Sequence, residues 1–123
     1  MLKNRFVMVD GLDGSGKGVI VDALQKWAEQ KGLKVLDLRS YCREKGTFPA
    51  PEEVAQYDAI VSAEPTFCLI GKAIREELIR ATDRKYSAQT IANAFALDRE
   101  ILYNRVLIPA IKAGKYIFQE RGI

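Results

Sequence analysis

The sequence contains no histidine, and that one absence closes several catalytic routes. Ser-His-Asp and Cys-His nucleophilic schemes, histidine zinc sites and imidazole acid–base chemistry all need a residue that is not there. Cysteine is scarce: Cys42 and Cys68 are the only two, with no Cys-x-x-Cys between them. That composition argues against a disulfide framework, and both read as reduced thiols of a cytoplasmic protein. No apolar run reaches membrane-spanning length, and the polar start Met1-Leu2-Lys3-Asn4-Arg5 leads straight into a strand, not into a signal-peptide hydrophobic stretch. A strong charge of one sign is also lacking. Lys+Arg number 19 against 16 Asp+Glu, leaving +3 spread along the chain. This suits an anionic small ligand and falls short of a nucleic-acid footprint.

What is present is ordinary globular material, 48% hydrophobic and 28% charged over 123 residues, enough for one domain spanning 1–123. Phe6 to Val9 is an apolar, β-branched run that predicts a buried strand. A glycine-dense turn follows, then a helix from about Lys17 to Gln30 with Ile20, Leu24, Trp27 and Ala28 at helical spacing and Gly32 as its stop. Trp27 reads as core. Val35 to Leu38 is a second strand. Ser40 to Tyr57 carries Gly46, Pro49 and Pro51 and reads as a loop with one turn of helix after Pro51; Arg39 to Lys45 would be exposed in it.

Ala59-Ile60-Val61 is a third strand ending at Glu64-Pro65. A helix from about Cys68 to Ala81 stacks Ile70, Ile74 and Leu78, with Lys72, Arg75, Glu76, Glu77 and Arg80 as its solvated face. Ser87 caps a long helix running toward Lys112, which Pro109 should kink and Gly114 ends. Tyr116-Ile117-Phe118 is the last strand, with Glu120-Arg121-Gly122 after it. Strands alternating with helices predict a three-layer α/β architecture, a parallel sheet flanked by helices. Ligands of such sheets collect outside the carboxyl ends of the strands, where Gly11, Glu64 and Glu120 all fall. With no helix after the last strand, the domain is expected to be incomplete at its C-terminal side.

Gly11-Leu12-Asp13-Gly14-Ser15-Gly16-Lys17 fits the first seven positions of G-x-x-x-x-G-K-[ST], between a strand and a helix. Glycines there let backbone N–H groups turn inward around phosphate oxygens, the helix adds its positive end, and Lys17 supplies a formal charge. Gly18 stands where a Ser or Thr hydroxyl usually meets Mg²⁺, so that ion would be held through water or other carboxylates. Neither the Asp-x-x-Gly nor the Asn-Lys-x-Asp segment of a GTPase is present.

Phe95, Asp98 and Arg99 share a helix face by their i, i+3 and i, i+4 spacing. A flat ring with a forked guanidinium one turn away could stack on a base and read its edge. A core Phe beside a surface Asp–Arg pair fits the same spacing. Glu64-Pro65 is either a carboxylate beside a transferring phosphate or a strand-ending turn. Glu120-Arg121 is either a metal-facing carboxylate with an anion clamp or a simple ion pair.

Together these segments resemble the thymidylate kinase family of P-loop nucleoside monophosphate kinases. The resemblance rests on Val9 to Lys17, Glu64-Pro65-Thr66, Ile70-Gly71-Lys72-Ala73-Ile74-Arg75, Phe95 to Arg99, Ile108-Pro109-Ala110, Gly114 and Glu120-Arg121, in family order. It covers nearly all of the chain except Ser40 to Tyr57. It implies a P-loop NTPase fold, ATP and Mg²⁺ as cofactors, and transfer of the ATP γ-phosphoryl group to dTMP. By the same resemblance, Gly11, Leu12, Asp13, Gly14, Ser15, Gly16, Lys17 and Gly18 would hold the ATP phosphates. Asp13 would also meet the dTMP sugar. Phe95 would stack on thymine, with Asp98 on the same face, and Arg99 would read the base edge. Arg121 would hold the acceptor phosphate, with Glu64 and Glu120 near the metal. By the same resemblance two chains could form a homodimer through the long helices, with dTMP and ATP as small-molecule partners and neither nucleic-acid nor membrane partners.

This chain departs from the family at Gly18, at Ala63 where many members have Arg, at Glu120-Arg121-Gly122 in place of Asp-Arg-Tyr, and in the length of Ser40 to Tyr57. The family's lid and adenine-binding segment would follow residue 123. A deoxynucleoside kinase and a non-catalytic nucleotide-binding module are the competing readings.

Overall fold

The computed structural model describes residues 5–10, 17–80 and 83–121. Four parallel strands, β1 (Phe6–Asp10), β2 (Val35–Asp37), β3 (Ala59–Glu64) and β4 (Tyr116–Arg121), lie in the order β1-β4-β3-β2. β3 is buried at all six positions, as a short apolar run flanked by strands and covered on both faces must be. Side chains alternate along each strand, and the register aligns Ile60 with Ile117, Ser62 with Gln119 and Glu64 with Arg121 on one face. Val61 with Phe118 and Ala63 with Glu120 fall on the other.

The two faces hold separate cores. Val21 and Ala28 of helix α1 (Lys17–Gln30) pack on Ala59, Val61 and Phe118. On the opposite face Leu102, Val106, Leu107 and Ala110 close over Leu36, Ile60 and Ile117. Each side chain fully removed from water in these layers contributes about 1.5–3 kcal/mol. The result is the three-layer α/β arrangement that the alternation of strands and helices predicts.

Several expectations need correction. The apolar face of α1 matches the expected one in part: Ala28 is buried and Leu24 packs on the core, but Val21 is buried where Ile20 was expected, and Ile20 is 51% and Trp27 42% exposed. Trp27 covers the sheet without entering it, meeting Tyr116 and Phe118 edge-on at 6.1 and 6.4 Å. The stretch expected to be a loop opens with a helix, α2 (Leu38–Lys45), so β2 ends one residue early. Asp37 caps α2 by accepting from the Arg39 N–H, Gly46 ends it at φ +74°, and Leu38 and Cys42 supply its buried stripe. The expected turn after Pro51 is α3 (Pro51–Val54).

Helix α4 (Leu69–Ala73) widens into a π-helical stretch, Ile74–Leu78. Ser87 Oγ accepts from the Thr90 N–H and starts α5 (Ala88–Leu102) as the sequence predicts. Pro109 is carried by the π-helical turn Tyr103–Leu107, after which α6 (Ile108–Lys112) continues. The Ile108 N–H reaches back to Tyr103 O, and this wider winding precedes the residue that has no donor of its own. Among the described residues no helix is long and apolar enough to cross a membrane.

Candidate functional site

The carboxyl edge of the sheet is built in two rows. Asp10, Arg121 and Glu64 are register partners across β1, β4 and β3, and Val9, Glu120 and Ala63 form the row below. Glu64, Glu120 and Arg121 therefore lie inside the strands, not after them. Alternation also sends Glu120 and Arg121 to opposite faces. Arg121 turns to the α5 side, its Nη1 3.7 Å from Met8 Sδ. Glu120 turns to the α1 side, where its Oε2 lies 3.9 Å from the place a Cβ on Gly18 would take.

On the α5 side Glu64 is 5% exposed and fully engaged. It accepts from Arg99 Nε at 2.7 Å and from Gln119 Nε2. The bond to Glu64 holds the Arg99 guanidinium above its ordinary pKa. Its two terminal nitrogens have no further partner among the described residues, so a forked donor faces outward one turn from Phe95. Gln119 is wholly buried and also accepts from Tyr103 Oη at 3.4 Å; burial, then the charge of Glu64, pushes that phenol up. Nothing in the sequence singled out Gln119 beyond its place between Phe118 and Glu120.

Phe95 is half-buried and belongs to neither core, whereas Asp98 is 2% exposed. A core Phe beside a surface Asp–Arg pair is therefore not what forms. Asp98 Oδ2 accepts from the Thr66 N–H at 2.9 Å and Oδ1 meets Thr66 Oγ1 at 2.7 Å. Burial raises the pKa of Asp98, and the Thr66 bonds offset part of that rise. The spacing that put Asp98 beside Phe95 and Arg99 as a ligand group thus puts it onto the loop after Glu64. Arg75 holds the same loop from the other direction, donating to Pro65 O and Thr66 O. Arg75 is half-buried, not part of a solvated face.

Arg39, expected in an exposed loop, is a clamp. Its guanidinium meets Asp22 at 2.9 Å, Asp37 at 3.0 Å and Glu120 at 3.3 Å. Burial works against its charge, but the hydrogen bonds it donates to Asp37 and Asp22 outweigh that and keep its pKa above the ordinary value. Cys42 and Cys68 are free, buried thiols, both pushed up by burial; a hydrogen bond between them raises Cys42 further.

Gly11, Leu12, Asp13, Gly14, Ser15 and Gly16 lie outside the described residues, as do the Lys17 side chain and Gly122. Glu64 and Glu120, the two carboxylates expected beside a metal, project to opposite faces. Among the described residues no group of three or more Asp, Glu, Cys or His converges to hold an ion.

A parallel α/β sheet whose charged side chains collect at the carboxyl edge defines the class of this molecule. The chain is similar to proteins named probable thymidylate kinase from Pyrococcus horikoshii (26% identical over 98% of this chain and 48% of the relative) and Thermococcus gammatolerans (27%, 94% and 47%). It is equally similar to the thymidylate kinase of Parasynechococcus marenigrum, at 26% over 98% of this chain and 49% of that one. The chain thus spans about half the length of the curated relatives it matches. No protein-family model matches it, and no solved structure does.

Proposed function

We propose that this chain is the phosphate-cradle and acceptor part of a nucleoside monophosphate kinase, and that its acceptor is dTMP with ATP as donor. The observation that carries the reading is the Arg99–Glu64 pair. A buried carboxylate at the end of β3 fixes one nitrogen of a guanidinium on α5 and leaves its fork free, beside a partly open aromatic ring. That is a geometry suited to a flat base with hydrogen-bonding edges.

Phosphoryl transfer asks for positioning and charge neutralisation more than for covalent chemistry, so a site without histidine suffices. Phe95 stacks on the base, Arg99 donates to its edge, and Arg121, in the same strand row as Glu64, clamps the acceptor phosphate. Glu64 is a positioning residue, acting through Arg99. Asp98 positions the loop after Glu64 by holding Thr66. Glu120, which faces Gly18 and also meets Arg39, would hold a Mg²⁺ ion through water. When bound, that ion would neutralise phosphate charge. Lys17 and the glycines before it would take the ATP phosphates, and Asp13 the acceptor sugar. Association of two chains through α5 belongs to the same proposal.

The test is calorimetric titration of the chain with dTMP beside thymidine, AMP and dCMP. Saturable binding of dTMP, weakened roughly tenfold to a hundredfold in Arg99→Ala by loss of a charged hydrogen bond, is the expected result. Preference for thymidine would move the reading to a deoxynucleoside kinase. Failure of a folded chain to bind any of the four would remove the acceptor assignments.

A further inference from the structure

A pocket of about 280 Å³ lies beside the loop that follows Glu64, and none of Glu64, Phe95, Arg99, Glu120 or Arg121 lines it. One wall is the end of α2, with Cys42 and Arg43; the other is Phe67 with Lys72, Arg75 and Glu76 from α4 and its π-helical continuation. The α2 wall comes from the stretch between β2 and β3 that the family resemblance does not cover.

The lining is strongly cationic for its size. Three cations face a single carboxylate. Arg43 and Lys72 have no carboxylate partner among the described residues, so nothing described neutralises them. The guanidinium carbons of Arg43 and Arg75 both lie over the Phe67 ring, each 3.8 Å from its centroid. Two guanidinium groups this close to one ring take its opposite faces, and stacking limits how the Arg43 plane can turn, which lowers the entropy lost when it closes on an anion. Gly46, at φ +74°, also lines the opening and adds no side chain to it.

We propose that this pocket binds a small phosphomonoester dianion, at a site distinct from the acceptor and donor sites. Arg43 and Lys72, the two cations with no carboxylate partner among the described residues, match the double charge such a group carries above its second pKa of about 6. Forked guanidinium donors suit phosphate oxygens in particular. The volume admits a phosphate with a sugar-sized substituent. Arg75 belongs to this pocket and to the carbonyls of Pro65 and Thr66, so an occupant would pull on the loop that follows Glu64.

The experiment uses the Lys17→Ala/Arg121→Ala chain, which lacks the two other phosphate-binding groups, titrated with inorganic phosphate and with ribose 5-phosphate. One-to-one saturation, at least tenfold weaker after adding Arg43→Ala and Lys72→Ala, is expected, as is no saturation by the monoanion dimethyl phosphate. Hydrogen exchange on the unaltered chain gives an independent readout: ribose 5-phosphate should slow exchange in residues 43–46 and 67–76. Absence of saturable binding, binding indifferent to Arg43 and Lys72, or equal binding of dimethyl phosphate would each overturn the proposal. Unchanged exchange in those segments would do the same.

Discussion

At Asp98, Thr66 Oγ1 has one proton and two acceptors in reach, Asp98 Oδ1 at 2.7 Å and Cys68 O at 3.2 Å, the latter also accepting from the Lys72 N–H. A protonated Asp98 can donate to Thr66 Oγ1, freeing the hydroxyl proton for Cys68 O, and this agrees with a raised carboxyl pKa. Because the folded value is raised, Asp98 favours the fold below the ordinary carboxylate pKa, and that contribution is lost as pH rises through the folded value. Asp98→Asn copies the protonated pattern and does not titrate. Its stability should lie within about 1 kcal/mol of the parent in acid and gain on it as pH rises, read from denaturant melts at several pH values. Asp98→Ala strands the Thr66 N–H and should cost on the order of 2 kcal/mol in acid, and less as pH rises. The sequence placed Asp98 on the correct helix face but could not show which partner it meets, because Thr66 is 32 residues away.

Among the elements, α4 depends on having no side chain at Gly71. A Cβ there would overlap Thr66 Oγ1 and the Thr66 carbonyl group, far closer than van der Waals contact allows. Two of those atoms are backbone, so they cannot swing aside. Gly71→Ala should cost about 1–3 kcal/mol by overpacking and weaken dTMP binding through the displaced loop, seen as a lowered Tm with a raised Kd. The strands and α1 were legible because a buried strand and a helix after a glycine-dense turn leave strong local signals: apolar runs, glycines and a helical period. α2 was not. The turn formers Gly46, Pro49 and Pro51 dominate that stretch, and the helix announces itself only by Leu38 and Cys42 at i, i+4. Part of the buried face of α1 was missed for a related reason. Ile20 fits the period with Leu24 and Ala28 as well as Val21 does, and only the flat surface of Ala59, Val61 and Phe118 selects Val21. At the site, residue types were readable and partners were not: Arg39 and Gln119 acquire their places through contacts 81 and 55 residues distant.

Across the whole molecule, Arg39 ties α1, the β2–α2 junction and β4 through Asp22, Asp37 and Glu120. Removing it leaves partly buried carboxylates facing one another. Arg39→Ala should cost about 2 kcal/mol, less than a fully buried pair because Asp22 is 60% exposed, and the loss should persist in high salt. Chemical denaturation with and without added salt measures both. The strand order has a consequence for how the chain is made. β1 has no neighbour among the described strands except β4, since Phe6 pairs with Ile117 and Asp10 with Arg121. At roughly 5–20 residues per second of synthesis, Phe6-Val7-Met8-Val9 waits on the order of ten seconds for its partner to be translated. Ribosome-stalled chains ending before residue 116 should leave that segment open to protease, and chains extended far enough to release residue 121 from the exit tunnel should close it in one step together with β3. An apolar strand held open for that long on the ribosome is a natural client for a nascent-chain chaperone.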